Sequence, residues 1–173
     1  MAEDKATKDT ISALNELIAT CRDGIDGFRT AAEATTTEST RMIFSRRAST
    51  IEQSMAELEG VVRQLGGTPA ESEHLAASIR HTWESAKAGL GARDDKGIIK
   101  FVVNGEEAAV KMYQSVLEKP LAPEVQMLVQ RQLRGVEQNL AAMRALGGEA
   151  ETTDRVGAAA GRDRVTSDSE FRA

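Results

Sequence analysis

The chain has 173 residues, of which 40% are hydrophobic but only 3% aromatic, and it holds three prolines. That balance favours helices and argues against a β-sandwich or barrel. A formal charge of −5 and a pI near 5.2 exclude a general electrostatic attraction to nucleic acid or an anionic membrane. The single cysteine, Cys21, excludes an intrachain disulfide framework and a thiolate metal cluster. The opening MAEDKATKDT has no apolar core and is not a secretory signal. No run approaches the roughly 20 apolar residues that span a bilayer. A soluble, cytoplasmic protein of bacterial style is expected, with no nucleic-acid or membrane partner.

Five helical stretches follow in chain order. The first covers about 7–34, with the apolar seam Ile11, Leu14, Ile18, Cys21, Ile25, Phe28 and Ala32 and Thr7 or Thr10 as its N-cap. TTTEST is a short turn, after which a second helix runs from about Glu38 to Leu65 and stops at Gly66-Gly67 before Pro69. Arg41, Arg46 and Arg47 on that helix read as a solvated face. A less regular stretch, 70–91, carries Leu75, Ile79, Trp83, Ala86 and Leu90. Asp94 or Asp95 caps the fourth helix, which runs to about Glu118. Pro123 sits in the first turn of the fifth, which carries Val129, Leu133, Val136, Leu140 and Met143 and ends at Gly147-Gly148. The polar remainder cannot bury enough surface to offset its ordering entropy. The organisation expected is therefore a bundle over 1–148 and a disordered polar tail over 149–173.

One residue breaks the pattern. On the fourth helix the seam is Ile99, Val102, Glu106, Ala109, Tyr113 and Val116, which places a glutamate on the buried stripe itself. A buried carboxylate is costly unless it is paired, protonated or bound to a cation. Glu106 thus belongs to a metal site, to an ion-pair network, or to a site that has decayed.

The chain also repeats. An offset of 85 residues lays Cys21, Gly24 and Phe28 over Glu106, Ala109 and Tyr113, and IEQSM (51–55) over VEQNL (136–140). Two hairpins so related, joined by a longer connection, make an all-α four-helix bundle in which 70–91 is an additional crossover helix. Glu106-x-x-Ala109-x-x-x-Tyr113, followed by a helix bearing Glu137, resembles the ferritin-like superfamily. The phrases DGIDGFRTAAE, VVRQLGGTP, HTWESAKAGL and NGEEAAVKMYQSVL resemble more closely an uncharacterised bacterial branch of it, four-helix-bundle proteins of unknown function. The resemblance covers about 8–148.

That resemblance implies a di-metal site built from one Glu on each of two helices and a Glu-x-x-His on each of the others. Carried over by position, it selects Glu52, Glu106 and Glu137, while Cys21 replaces one glutamate and Met55 and Leu140 replace both histidines. The two histidines present, His74 and His81, lie in the crossover stretch at the wrong spacing and read as structural or surface groups. Three carboxylates still suit a hard divalent cation: Fe, Mn, Mg or Ca. Alternatively Arg22, Arg47, Arg131 or Arg134 satisfies them through bidentate pairs. Tyr113 reads as core, its hydroxyl within reach of Glu52 or Glu137. Cys21 reads as a small core hydrophobe rather than a redox thiol. No nucleophile–base pair and no phosphate-cradling loop stand out. The reading is a non-enzymatic bundle with no resident cofactor and no catalytic residues, acting through self-association as a homodimer or on an unidentified protein partner. Trp83 marks the expected face, and the resemblance implies a stress-associated role. The alternative is a carboxylate metal-binding protein with a degenerate ferritin-like site.

Overall fold

The computed structural model describes residues 2–71 and 95–163, with side chains from 4 to 71 and from 95 to 148. Four helices make up this part: α1 (Ala2–Ala34), α2 (Glu38–Gln64), α3 (Asp95–Leu117) and α4 (Pro123–Asp163). The seams read from the sequence form the core. Leu14, Ile18, Phe28, Phe44, Leu58, Val62, Val102, Val116, Val129 and Met143 are all buried, and the Phe28 and Phe44 rings meet at 5.9 Å between centroids. No described helix is long and apolar enough to cross a membrane.

Ion pairs and hydrogen bonds fix the direction of each helix. Arg22 pairs with Glu59 and Arg29 with Glu52, so α1 and α2 are antiparallel. Tyr113 meets Gln132 and Glu107 meets Arg144, so α3 and α4 are antiparallel too. Lys119 pairs with Glu16 while Cys21 lies against Tyr113, which makes α1 and α3 antiparallel. It follows that α2 and α3 run in the same direction. Their connection therefore joins opposite ends of the bundle, as in ferritin-like folds with one long crossover.

One end of that connection is tied to α1 and the other to the α1–α2 turn. At one end α2 stops in a Schellman motif: Gly66 N–H donates to Arg63 O and Gly67 N–H to Val62 O, with Gly66 at φ 78°. A Cβ on Gly67 would lie 2.8 Å from Ile11, so the chain passes α1 at a distance only glycine allows. The Asn15 side chain then donates to Thr68 O and accepts from Ala70 N–H. At the other end, Asp95 accepts from Thr35 Oγ1 (2.9 Å), Thr36 N–H (3.3 Å) and Thr37 Oγ1 (2.6 Å). Asp95 is thus the first residue of α3 and a clasp on the α1–α2 turn. Arg41 completes that end by donating to Ala32 O and Thr35 O, carbonyls at the C-terminus of α1.

Three sequence expectations change. α1 begins at Ala2, ahead of Thr7 and Thr10, because five of residues 2–9 are the helix formers Ala, Glu or Lys, with Asp4 favourable near the N-terminus and Lys8 paired to it at 2.9 Å. Thr10 is buried, with its hydroxyl donating back to Ala6 O. The fifth predicted helix, here α4, does not end at Gly147-Gly148 but continues to Asp163. Neither glycine takes a left-handed conformation; a Cβ on Gly147 would sit 3.3 Å from Ile99, so that glycine serves close packing against α3. Of the expected tail, 149–163 are therefore helical, and 164–173 lie outside the described residues. The crossover helix expected at 70–91 also lies outside them, but for its first two residues, and with it His74, His81 and Trp83.

The clasp gives a first expected outcome. Asp95→Ala removes three acceptor contacts, one of them to the buried Thr35, and should lower stability by about 1–3 kcal/mol in urea unfolding. The m-value should stay unchanged, since the surface exposed on unfolding does not change.

Candidate functional site

The midpoint of the bundle is polar. Glu106, only 3% exposed, is brought there by the heptad spacing of α3, and α2 brings Arg47 opposite it, one turn from Phe44 and Ile51. Arg47 Nε donates to Glu106 Oε1 at 2.7 Å and Arg47 Nη2 to Oε2 at 3.2 Å. Asn139 Nδ2 of α4 donates to Oε1 at 2.8 Å. Three charge-assisted hydrogen bonds from two helices therefore hold this carboxylate, two of them from the planar fork of one arginine. Of the three arginines read as a solvated face, only Arg46 is without such a role: Arg47 is buried and Arg41 caps α1.

Beside this pair runs a second chain of hydrogen bonds. Gln132 Nε2 donates to Ser54 O (3.0 Å) and to Glu57 Oε2 (2.9 Å). Both partners are pure acceptors, which fixes the amide orientation and leaves Gln132 Oε1 as an acceptor for Tyr113 Oη at 2.9 Å. The phenolic proton is thereby committed, so the Cys21 thiol, 3.6 Å from Tyr113 Oη, is the donor in that contact. Burial pushes the Cys21 thiol up to about 11 and the Tyr113 phenol well above its ordinary range. Cys21 is a protonated, buried thiol, without the exposure that a redox sensor needs.

The three carboxylates selected as metal ligands are placed differently from one another. Glu106 is held by Arg47 and Asn139. Glu52 lies at the edge of the bundle, partly exposed and paired with Arg29, and Glu137 is exposed on α4. Among the described residues no three Asp, Glu, His or Cys side chains come together in a way that could hold a metal ion. Of the four arginines considered, Arg47 satisfies Glu106, Arg22 pairs with Glu59 and Arg131 with Glu57. The Tyr113 hydroxyl goes to Gln132 instead of Glu52 or Glu137, because Gln132 sits on the seam facing it and the two glutamates do not.

Gln132 and Asn139 were missed by the sequence reading. The signal that flags Glu106 was available for them: Val125, Val129, Gln132, Val136, Asn139 and Met143 recur at alternating steps of four and three. The repeat points to them as well, since Gln132 and Asn139 lie 85 residues after Arg47 and Ser54.

A domain family described only as a domain of unknown function, DUF2383, matches residues 9–119, and the chain belongs to that family. No curated protein matches the chain. Several solved structures share the fold. A substituted Dps1 of Mycobacterium smegmatis superposes with a TM-score of 0.71 at 14% identity, over 82% of this chain and 97% of that one. A DPS protein of Vibrio cholerae, a ferritin-like diiron-carboxylate protein by its description, gives 0.65 at 16% identity over 82% and 91%. A ferritin-like diiron-carboxylate protein of Bacillus anthracis gives 0.54 at 16% identity over 86% and 96%. At these identities the likeness establishes the fold: an all-α, four-helix, ferritin-like bundle.

Two outcomes follow from the geometry. Glu106→Ala or Arg47→Ala leaves its partner's charge buried and unpaired and should cost about 3–5 kcal/mol, whereas the double replacement Arg47→Met/Glu106→Leu should fall within about 1 kcal/mol of wild type or above it. Urea titrations of the three variants measure the difference. Half-buried Asp23 gives the second. Burial, with the charge of Asp26 added, pushes its carboxyl up to about 6, so the folded state binds that proton more tightly than the unfolded chain. The contribution is intact below the ordinary carboxylate value of about 3.9 and is lost as the pH rises through about 6. Asp23→Asn should therefore raise the melting temperature at pH 7.5 and leave it nearly unchanged at pH 4.

Proposed function

We propose that this protein is a non-enzymatic member of the ferritin-like fold, in which an internal salt bridge takes the structural place of a metal centre and function is exerted by association with itself or with another protein. The observation that carries this reading is the engagement of both Glu106 carboxylate oxygens by Arg47, with Asn139 on Oε1 as well. A cation at that point would have to displace a guanidinium already bonded to both carboxylate oxygens. The other donor places fit a di-metal centre no better: Cys21 is a buried, protonated thiol, Met55 and Leu140 are apolar, and Glu52 and Glu137 lie toward solvent. Association is supported by three large apolar side chains left in water, Met42, Ile43 and Met127. The stress-associated role rests on the family resemblance alone.

A melt of the metal-stripped protein, alone and with Fe(II), Mn(II), Mg(II) or Ca(II), tests the first half of the reading. A site filled at a hundredfold excess over its dissociation constant would add about 2.7 kcal/mol, a shift of several degrees for a chain of this size. The expected result is no shift with any of the four. A shift that disappears in Glu52→Gln/Glu137→Gln would instead establish a carboxylate metal site and overturn the reading. Sedimentation over a hundredfold concentration range tests the second half; a species heavier than the monomer that Met42→Lys or Met127→Lys dissociates is the expected result.

A further inference from the structure

The polar midpoint borders a cavity of about 620 Å³ walled by all four helices. Protein interiors pack at near-crystalline density and leave few voids larger than a water molecule, whereas spaces of roughly 300–1,000 Å³ are the range of small-molecule pockets. The walls are mostly apolar, with Phe28, Val102 and Val136 among them. Four of the lining residues are glycines inside helices; a Cβ on Gly24 or Gly27 of α1 would meet Ile51 or Phe101, but on Gly105 of α3 or Gly135 of α4 it would meet nothing within 4 Å. Helical glycine is about 1 kcal/mol less favourable than alanine, and at Gly105 and Gly135 no close approach among the described residues requires it. The space is one that the described residues leave open and do not themselves fill.

The charges around it do not balance. Arg47 cancels Glu106 and Arg131 cancels Glu57, each pair within hydrogen-bond distance. Asp23 also lines the cavity and, among the described residues, has neither a hydrogen bond nor an ion pair; its charged neighbour along α1 is another acid, Asp26. We propose that this cavity is a binding site for a small organic cation, an apolar body of one or two rings carrying a single amine or quaternary ammonium group. The body occupies the space beside Phe28, Val102 and Val136, and the cation supplies the partner that Asp23 lacks. The site goes beyond the associative function proposed above: it is formed within one chain and calls for no second copy.

Titration calorimetry of the full chain in metal-free buffer at pH 7.5 tests it with three probes of one shape: 1-naphthylmethylamine (a cation), 1-naphthylmethanol (neutral) and 1-naphthoate (an anion). The expected result is saturable one-to-one binding, with the amine at least about tenfold tighter than the alcohol and the naphthoate weakest. Asp23→Asn should bring the amine and the alcohol within about twofold of each other. Gly135→Leu, which places a side chain in the cavity, should abolish binding while the melting temperature holds or rises; Gly105→Leu blocks the site from another helix. Equal affinities for amine and alcohol, no saturable binding, or binding that survives in a folded Gly135→Leu variant would each overturn the proposal. None of these readings depends on a metal or on the oligomeric state, so failure here leaves the associative function standing, and the reverse holds as well.

Discussion

Glu106 accepts hydrogen bonds from Arg47 on α2 and from Asn139 on α4 while itself belonging to α3, so a single carboxylate joins three of the four helices at the midpoint of the bundle. Desolvating these groups is expensive, and the attraction between them offsets the expense only because the fork is bidentate and the third donor is present. The rest of the centre conforms to that requirement. Helix register is set so that Arg47 lies level with Glu106, and the remaining polar atoms on the neighbouring turns, from Cys21 through Tyr113 and Gln132 to Ser54 and Glu57, satisfy one another in a second chain. A bundle filled with leucine at these places would be as stable or more so, but several alignments of its helices would then be nearly equal in energy.

The same constraint bears on the comparison with the diiron-carboxylate proteins that share the fold. A metal pair requires carboxylates and imidazoles free to coordinate and converging on one point. Here Glu106 is matched to a guanidinium, and the places that the family resemblance assigns to three of the other donors are a thiol, a thioether and a leucine. A buried carboxylate is costly unless its charge is matched, and Arg47 matches it here.

Much of the architecture was legible because helices report themselves through period. Most of the seam residues read for α1, α3 and α4 are buried, with Ile11, Ala109 and Leu133 only partly so, and Gly66-Gly67 marked the end of α2 correctly because a Schellman turn needs a left-handed residue. Gly147-Gly148 carried the same composition and the opposite meaning. Nothing local distinguishes a glycine that ends a helix from one that lets a helix approach its neighbour; the distinction lies in Ile99, almost fifty residues away in sequence. The start of α1 was read too late for a related reason, since polar residues in water can extend a helix whose apolar seam has not yet begun. At the site, Glu106 was visible as an intruder on the seam and Arg47 stood among four candidates. Choosing between them required the relative height of α2 and α3, which is set by tertiary packing and not by either helix alone. Gln132 and Asn139 were hidden by their neighbours Leu133 and Leu140, which supply a serviceable apolar seam one position away.

The internal repeat gives the ion pair a further meaning. Arg47 lies in the first hairpin and Glu106 in the second, and the positions corresponding to them by the 85-residue offset are Gln132 and Cys21. Two copies of the first hairpin, packed against each other as the two halves are packed here, would bury two guanidinium groups opposite two thiols. Two copies of the second would bury two carboxylates opposite two amides. Each half thus carries a charge that its own duplicate cannot neutralise, and only unlike halves meet without an orphaned ion. Whatever symmetry the repeat once had, the chain now distinguishes its own two halves from each other.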